Sequence, residues 1–120
     1  MGSALGDEAE TIAKHYLQTQ GLTPVIDNFR CRLGEIDLIM RDHKILVFIE
    51  VRYRKSIAHG SALASVTPHK QTRIIRAAQF YLANNSNPPA CRFDVVALEG
   101  NLANPSIQWL KHAFELGGDW

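Results

Sequence analysis

The chain has 120 residues, of which 46% are hydrophobic and 21% charged, with a formal net charge of +1. These values exclude a disordered chain, a collagen-like repeat and a disulfide scaffold, and the length predicts one domain with an ordered core over about residues 4–115. No apolar run approaches the ~20 residues of a membrane span and no signal peptide is recognisable, so we expect a cytoplasmic protein without a membrane partner.

In the first half of the chain the pattern predicts one helix and three strands. Apolar residues at three- and four-residue steps predict a helix over 4–20, which Gly21 would end. The predicted strands cover residues 22–30, 33–41 and 44–53. The third of them is almost continuously apolar, which is typical of a central strand buried on both faces.

The second half predicts a helix followed by one or two strands. Thr67 and Pro68 are the N-cap and first residue of a helix that runs to about residue 83. A fourth strand is predicted over 92–98, and a fifth over 106–114. The order α-β-β-β-α-β predicts an α/β fold in which the first three strands form a meander and the second helix crosses over to a parallel fourth strand. The result is a mixed sheet of four or five strands with helices packed on it.

Basic residues are concentrated in the middle of the chain. Residues 51–93 contain no acid and seven bases, whereas the segments on either side are acidic. The seven bases are Arg52, Arg54, Lys55, Lys70, Arg73, Arg76 and Arg92. This pattern is typical of a surface that binds a polyanion such as nucleic acid, although a solvated face that keeps a protein soluble would look the same.

The hairpin formed by the second and third strands is expected to bring two acids together. With a turn at residues 42–43, Glu35 would face Glu50, and Asp37 would be the diagonal neighbour of Glu50, ~7–8 Å away. That distance leaves room for a divalent cation between the carboxylates. The opposite face of the hairpin is expected to be uniformly apolar and to include Ile36 and Leu38.

The position of these acids within apolar strands predicts a metal or charge site. Glu50 follows five apolar residues, and a charge in a central strand is costly unless it is paired or ligated. The alternative is that Asp37 and Glu50 are ordinary surface acids. Glu8 lies at the edge of the first helix's apolar stripe and could be aimed at the strand acids, or it could only stabilise the helix dipole.

The two acids resemble the PD-(D/E)XK nuclease pattern, which has an acid on one strand and an acid-x-lysine on the next. Here Ile36-Asp37 is followed, after twelve residues, by Glu50-Val51-Arg52. More narrowly, the chain resembles the YraN family of small bacterial proteins, which implies a three-layer, restriction-endonuclease-like, Holliday-junction-resolvase-like fold. The resemblance is carried by segments that include residues 34–39 (GEIDLI), 48–52 (FIEVR), 66–71 (VTPHKQ) and 92–96 (RFDVV).

The resemblance also implies a site and a cofactor. Mg²⁺ or Mn²⁺ would be held by Asp37, Glu50 and the backbone carbonyl of Val51, with Glu8 as a further acid. Arg52 stands where the nuclease pattern has lysine. Because arginine stays protonated it cannot act as a base, but it can stabilise charge on a phosphate.

Further residues are expected to contact the nucleic acid. Lys70 and Gln71 would face the same cleft as the acids, and the basic segment from Arg54 and Lys55 to Arg73 and Arg76 would follow neighbouring phosphates. The three bases at positions 70, 73 and 76 share one side of the predicted helix.

Three functions therefore remain open. The first is a metal-dependent endonuclease that hydrolyses DNA phosphodiesters and selects branched DNA. The second is a catalytically weak or inactive nucleic-acid-binding module on the same fold, which Arg52 favours. The third is an interaction protein that binds no nucleic acid. Resolvase-like enzymes commonly pair to cut two strands, so the resemblance also allows a homodimer.

Overall fold

The computed structural model describes residues 4–56 and 61–115. Their elements follow the predicted order, including the fifth strand. They are α1 (Ala4–Thr19), β1 (Thr23–Cys31), β2 (Gly34–Asp42), β3 (Ile45–Arg54), a short 3-10 helix (Leu63–Ser65), α2 (Pro68–Leu82), β4 (Cys91–Glu99) and β5 (Ser106–Phe114). No helix in these two ranges is both long and apolar enough to cross a membrane.

The strands form one mixed sheet in the order β1-β2-β3-β4-β5. The first three strands pair antiparallel, β3 and β4 pair parallel, and β5 returns antiparallel to β4. A parallel pair needs a long crossover, which α2 supplies. The predicted meander, the crossover and the central position of β3 are therefore confirmed.

The two helices cover opposite faces of the sheet, which gives three layers. The core on the α1 face includes Ala9, Ala13, Leu17, Leu38, Met40, Val47, Ile49, Val51, Val96 and Leu98. The core on the α2 face includes Ile36, Ile39, Leu46, Phe48, Ile74, Ile75, Ala77, Ala78, Phe93 and Val95. Because β3 contributes to both cores, its apolar run is buried from Leu46 to Ile49 and partly buried at Ile45, and this accounts for the missing polar alternation.

The start of α2 is fixed by its cap and by a glycine on β2. The Thr67 side chain accepts a hydrogen bond from the Lys70 backbone N–H at 3.3 Å, and Pro68 is the first helical residue, as predicted. Gly34 lies so close to the helix that a Cβ there would be 2.3 Å from the carbonyl oxygen of Arg73. Any side chain at position 34 would push α2 away from the beginning of β2.

The pairing of β2 with β3 differs from the prediction by two positions. The turn lies at His43 and Lys44, so that Asp42 pairs with Ile45 and Leu38 pairs with Ile49. His43 has a φ of 57°, in the left-handed region that tight hairpin turns require. Because a shift of two changes the partner of each residue but not the face on which it lies, the expected common face of the two acids is unaffected.

One residue of the expected apolar face lies on the other side of the sheet. Ile36 packs in the α2-side core, whereas Leu38 packs in the α1-side core, so the prediction that they share a face was wrong. The alternation is also interrupted on β1, where Asn28 has a φ of 54°. The alternation of side chains between the two faces of the sheet is therefore interrupted on both β1 and β2 near Asp37. Periodicity along one strand does not reveal such an irregularity.

Candidate functional site: an acidic pair at a strand fork

Strands β2 and β3 separate beyond the pair formed by Leu38 and Ile49, and two acids lie at this fork. Continuing the register by one residue would set Asp37 directly opposite Glu50. The Val51 backbone N–H donates a hydrogen bond of 2.8 Å to Oδ2 of Asp37. A side-chain carboxylate thus replaces the backbone carbonyl that would otherwise continue the ladder, and this hydrogen bond holds Asp37 against β3.

The predicted partner of Glu50 lies elsewhere. Glu35 pairs with Arg30 of β1, and their side chains form an ion pair of 3.3 Å. The expectations that Glu35 faces Glu50, and that Asp37 is only a diagonal neighbour of Glu50, were therefore wrong in register. The structure nevertheless brings Asp37 and Glu50 together, and more closely than the predicted register implied.

The fork opens into a cleft of about 420 Å³ beneath the first turns of α2. Acids come from the sheet, and the bases come from β3 and from α2. The lining residues are Glu35, Asp37, Glu50, Arg52, Thr67, His69, Lys70, Arg73 and Ile74. Asp37 is 5% exposed and Glu50 is 9% exposed, so two carboxylates are buried side by side at the bottom of a cleft whose wall is basic.

The proximity of the two carboxylates changes the ionisation of Glu50. Burial raises the pKa of Glu50 well above its usual range, and the charge of Asp37 and the hydrogen bond between the two side chains raise it further. Arg52 and Lys70 act in the opposite direction but do not cancel these effects. Glu50 therefore favours its protonated form at neutral pH, and a bound cation would favour the ionised form.

Arg52 is held in place at the wall of the cleft. Its Nε donates a hydrogen bond of 2.7 Å to Oγ of Ser65, and its Nη1 lies 3.4 Å from Oε2 of Glu50. The Ser65 hydroxyl in turn donates to the carbonyl oxygen of Ala62. The short 3-10 helix thus orients the guanidinium beside the acids, which is where a phosphate bound at the cleft would need positive charge.

The first-helix acid that approaches Asp37 is Glu10, not Glu8. Glu8 is exposed and lines a separate cavity with Tyr53 and Lys55, so the structure does not bring it to the acidic pair. Glu10 is 5% exposed, and within residues 4–56 and 61–115 its Oε2 has no hydrogen-bond partner. Burial, and secondarily the charge of Asp37, raise the pKa of Glu10 to about 7, although a hydrogen bond with Asn28 lowers it.

A signal for Glu10 was present in the sequence. Glu10 lies three residues before Ala13 and seven before Leu17, both fully buried, which places it within the buried stripe of α1. An acid inside such a stripe is more unusual than an acid at its edge, and that is the feature which distinguishes Glu10 from Glu8. Asp37 consequently lies between one acid on the α1 side and one on the α2 side.

The remaining predicted contact residues are divided between the cleft and its surroundings. Lys70 and Arg73 line the cleft, together with His69, which the sequence reasoning had missed. Gln71 instead donates its side-chain amide to the carbonyl oxygen of Val66 at 3.0 Å. Arg76 is exposed further along α2.

Three other bases of the middle segment do not line the cleft that contains Asp37 and Glu50. Arg54 and Lys55 are exposed at and just beyond the end of β3. Arg92 is buried and paired with Asp94 and Asp42, so it does not add to the basic surface.

The donor set fits a magnesium ion in number and kind. Mg²⁺ commonly takes one or two protein carboxylates and completes its shell with water and phosphate oxygens. Asp37 and Glu50 are two such carboxylates, and both are buried beside each other, where a cation would offset their like charges. In residues 4–56 and 61–115, however, no three His, Cys, Asp or Glu side chains converge as a ready-made metal cluster. The remaining ligands would have to come from backbone, water or substrate.

These features define a class of protein: an α/β domain with a mixed five-stranded sheet and a buried acidic pair at the fork of its second and third strands. The description "Uncharacterised protein family UPF0102" belongs to the family model that matches residues 9–98. The chain belongs to this family, which confirms the family resemblance carried by the sequence motifs.

Individual relatives are similar along almost the whole chain. A UPF0102 protein of Nitrosococcus oceani is 51% identical over 114 residues, covering 92% of this chain and 91% of the relative. One from Saccharophagus degradans is 52% identical over 114 residues, with 92% of each chain covered. Another, from Cupriavidus pinatubonensis, is 53% identical over 114 residues and covers 94% of this chain and 87% of the relative.

Proposed function

We propose that this protein is a metal-dependent endonuclease that hydrolyses DNA phosphodiesters, with a preference for branched DNA, on a restriction-endonuclease-like fold. The observation that carries the proposal is the burial of Asp37 and Glu50 side by side at the base of a cleft with a basic wall. Two like charges are expensive to bury together, so their retention is best explained by a cationic ligand.

In this mechanism Asp37, Glu50 and the backbone carbonyl of Val51 would hold Mg²⁺ or Mn²⁺. A metal held there would supply a more acidic water and a positive charge beside the attacked phosphate. The Val51 N–H fixes the Asp37 carboxylate, and Glu10 is a further buried acid close enough to Asp37 for the two groups to interact. Glu10 thus takes the place that the sequence reasoning gave to Glu8.

The basic side chains supply the other half of the site. Arg52, oriented by Ser65, neutralises charge on the scissile phosphate as it increases during attack. Lys70 and Arg73 face the same cleft from α2 and hold the adjoining phosphates. Specificity for branched rather than sequence-defined DNA is an extension from the resolvase-like fold, by analogy.

The test is a cleavage assay on linear, nicked, flap and four-way DNA in Mg²⁺, Mn²⁺, Ca²⁺ or EDTA. We expect cleavage in Mg²⁺ or Mn²⁺ that is lost in Asp37→Asn and Glu50→Gln and strongly reduced in Glu10→Gln. Glu8→Gln is the matched control, because this exposed acid lies on the same helix and should leave the rate unchanged. Equal cleavage by the wild type, Asp37→Asn and Glu50→Gln would refute the proposal.

Arg52 favours a second candidate, a nucleic-acid-binding module with little or no hydrolysis. Its guanidinium interacts with both Glu50 and Ser65 and cannot lose a proton to serve as a base. This candidate predicts salt-dependent DNA binding without cleavage in any metal. If Arg52→Lys then gains cleavage, the arginine itself is what silences the site; if the wild type already cleaves, the second candidate is wrong.

A further inference from the structure

One side of α2 presents three basic or titratable side chains and one aromatic ring in a row. These residues are His69, Arg73, Arg76 and Phe80, and their spacing of four, three and four residues puts them on one side of the helix. All four are exposed, whereas Ile74, Ile75, Ala77 and Ala78 form the buried face. We call this row the α2 stripe. It runs for about 16 Å, at 1.5 Å per residue.

The α2 stripe begins in the cleft and leads away from it. His69 and Arg73 line the cleft, and Arg76 and Phe80 continue along the same side. Helix α2 contains no acidic residue, and among the described residues neither Arg73 nor Arg76 forms an ion pair with a carboxylate. The positive charge of the stripe is therefore available to a ligand.

Phe80 at the far end is unusual for its exposure and for its support. Its side chain is 51% exposed. Its ring lies 6.5 Å from that of Phe29 on β1, tilted by 38°, and Phe29 is itself packed edge-on against Tyr81 at 5.2 Å. The ring is thus backed by a second aromatic residue while half of it faces solvent, as in an aromatic platform on which a flat ligand stacks.

We propose that the α2 stripe binds an unpaired segment of a DNA strand next to the cleft, with its phosphates on Arg73 and Arg76 and one base stacked on Phe80. Bases within a duplex are already stacked and cannot offer a free face to Phe80, so the ring would select a strand that leaves the duplex. A basic track combined with an aromatic ring is how proteins bind single strands without reading their sequence. That the ligand is DNA rests on the proposed function. The part of branched DNA that the α2 stripe would recognise is the unpaired strand.

The experiment measures binding by fluorescence anisotropy, in EDTA, to a blunt duplex and to the same duplex with a single-stranded overhang. For Phe80→Leu we expect affinity for the overhang to fall about tenfold while affinity for the blunt duplex changes less than twofold. Phe80→Trp should bind the overhang as well as the wild type does. Arg76→Glu should weaken binding of both DNAs, because phosphate contacts do not depend on pairing.

A direct readout of stacking accompanies these affinities. An overhang that carries 2-aminopurine should lose fluorescence on binding the wild type and Phe80→Trp, and should keep it with Phe80→Leu. Leu110→Ala is the control, since Leu110 is another exposed apolar side chain, 40% exposed, on β5. Thermal melting of each variant checks that losing the contact between Phe80 and Phe29 has not destabilised the whole protein.

The outcomes separate this inference from the proposed nuclease activity. If Phe80→Leu lowers the affinity for the blunt duplex and for the overhang equally, or leaves both affinities unchanged, the α2 stripe does not select unpaired DNA. This conclusion holds whether or not the wild type cleaves. If the selective loss is observed but no metal supports cleavage, the stripe is supported and the nuclease proposal fails. If no DNA binds even at low salt, both proposals are wrong.

Discussion

Two clusters of buried charge lie in the same sheet and are built in opposite ways. In one, Arg92 donates through Nε to both carboxylate oxygens of Asp94 at 3.1 Å and through Nη1 to Asp42 at 2.9 Å. Asp94 also accepts hydrogen bonds from Nε1 of Trp109 and the backbone N–H of His112. In the other, Asp37 and Glu50 meet as like charges at the strand fork.

The difference is reflected in the ionisation of each cluster. A hydrogen bond from Arg92 holds the pKa of Asp42 below its usual value, because that interaction favours the charged carboxylate. Burial beside Asp37 drives the pKa of Glu50 the other way. A cluster in which opposite charges pair serves the fold, whereas one in which like charges meet points to a ligand.

The largest effect that separates the acidic pair from the Arg92 cluster is expected at Asp37. We expect Asp37→Asn to reduce metal-dependent cleavage by about a thousandfold or more, because it replaces a negatively charged ligand of the cation by a neutral amide. The amide oxygen can still accept the hydrogen bond from the Val51 N–H. Its melting temperature should stay close to that of the wild type. A variant that unfolds at lower temperature and cleaves normally when folded would assign Asp37 to the fold instead.

A substitution in the Arg92 cluster should instead lower stability. Asp94→Ala leaves the buried Arg92 without its main partner, so we expect a loss of about 3–5 kcal/mol in the free energy of unfolding, measured with urea. The control is Asp27→Ala, which removes only the partly exposed ion pair with Lys14 and should cost no more than about 1 kcal/mol. Similar losses in the two variants would mean that the Arg92 cluster is not a structural ion pair.

At Glu50 a stabilising substitution is expected. The folded pKa of Glu50 lies above the unfolded value, so the wild type loses stability as pH rises from about 4.5 toward the folded pKa, and glutamine avoids this loss. In EDTA at pH 8, Glu50→Gln should be more stable by about 1–2 kcal/mol, a difference that shrinks toward pH 5.

Added Mg²⁺ should reverse this ranking. At a concentration a hundred times its dissociation constant, the cation should stabilise the wild type by about 2.7 kcal/mol. Glu50→Gln should gain much less, because it has lost one of the two carboxylates. Thermal melts with and without Mg²⁺ measure both effects, and equal gains in the two proteins would place the cation elsewhere.

The smallest effect is expected at Asp42. Its folded pKa is lowered, so its ion pair with Arg92 stabilises the protein above the unfolded pKa and the contribution is lost as pH falls through the folded pKa. Asp42→Asn should therefore cost about 0.5–1.5 kcal/mol at pH 7, and the difference from the wild type should decrease below about pH 4. A difference that is the same at pH 7 and pH 3 would exclude an ionic contribution.

The helices, the strands and their order could be read from local patterns in the amino-acid sequence. The apolar run of β3 marked the central strand, and Thr67 and Pro68 marked the start of α2, because these signals are local and depend on burial or backbone geometry at each position. The proximity of Asp37 and Glu50 was also predictable. A two-residue error in the register changes their relation from diagonal to opposite but leaves them neighbours across the hairpin.

Which charged side chains meet depends on the packing of distant segments. Periodicity could not show that Asp37 and Glu50 lie opposite each other at a fork, that Asp37 lies close to the first helix, or that Arg92 is buried. Each of these depends on contacts between segments distant in sequence, and small shifts in strand pairing or helix rotation change them completely. The electrostatic character of the cleft follows from those contacts, because burial and the nearest charges set each pKa.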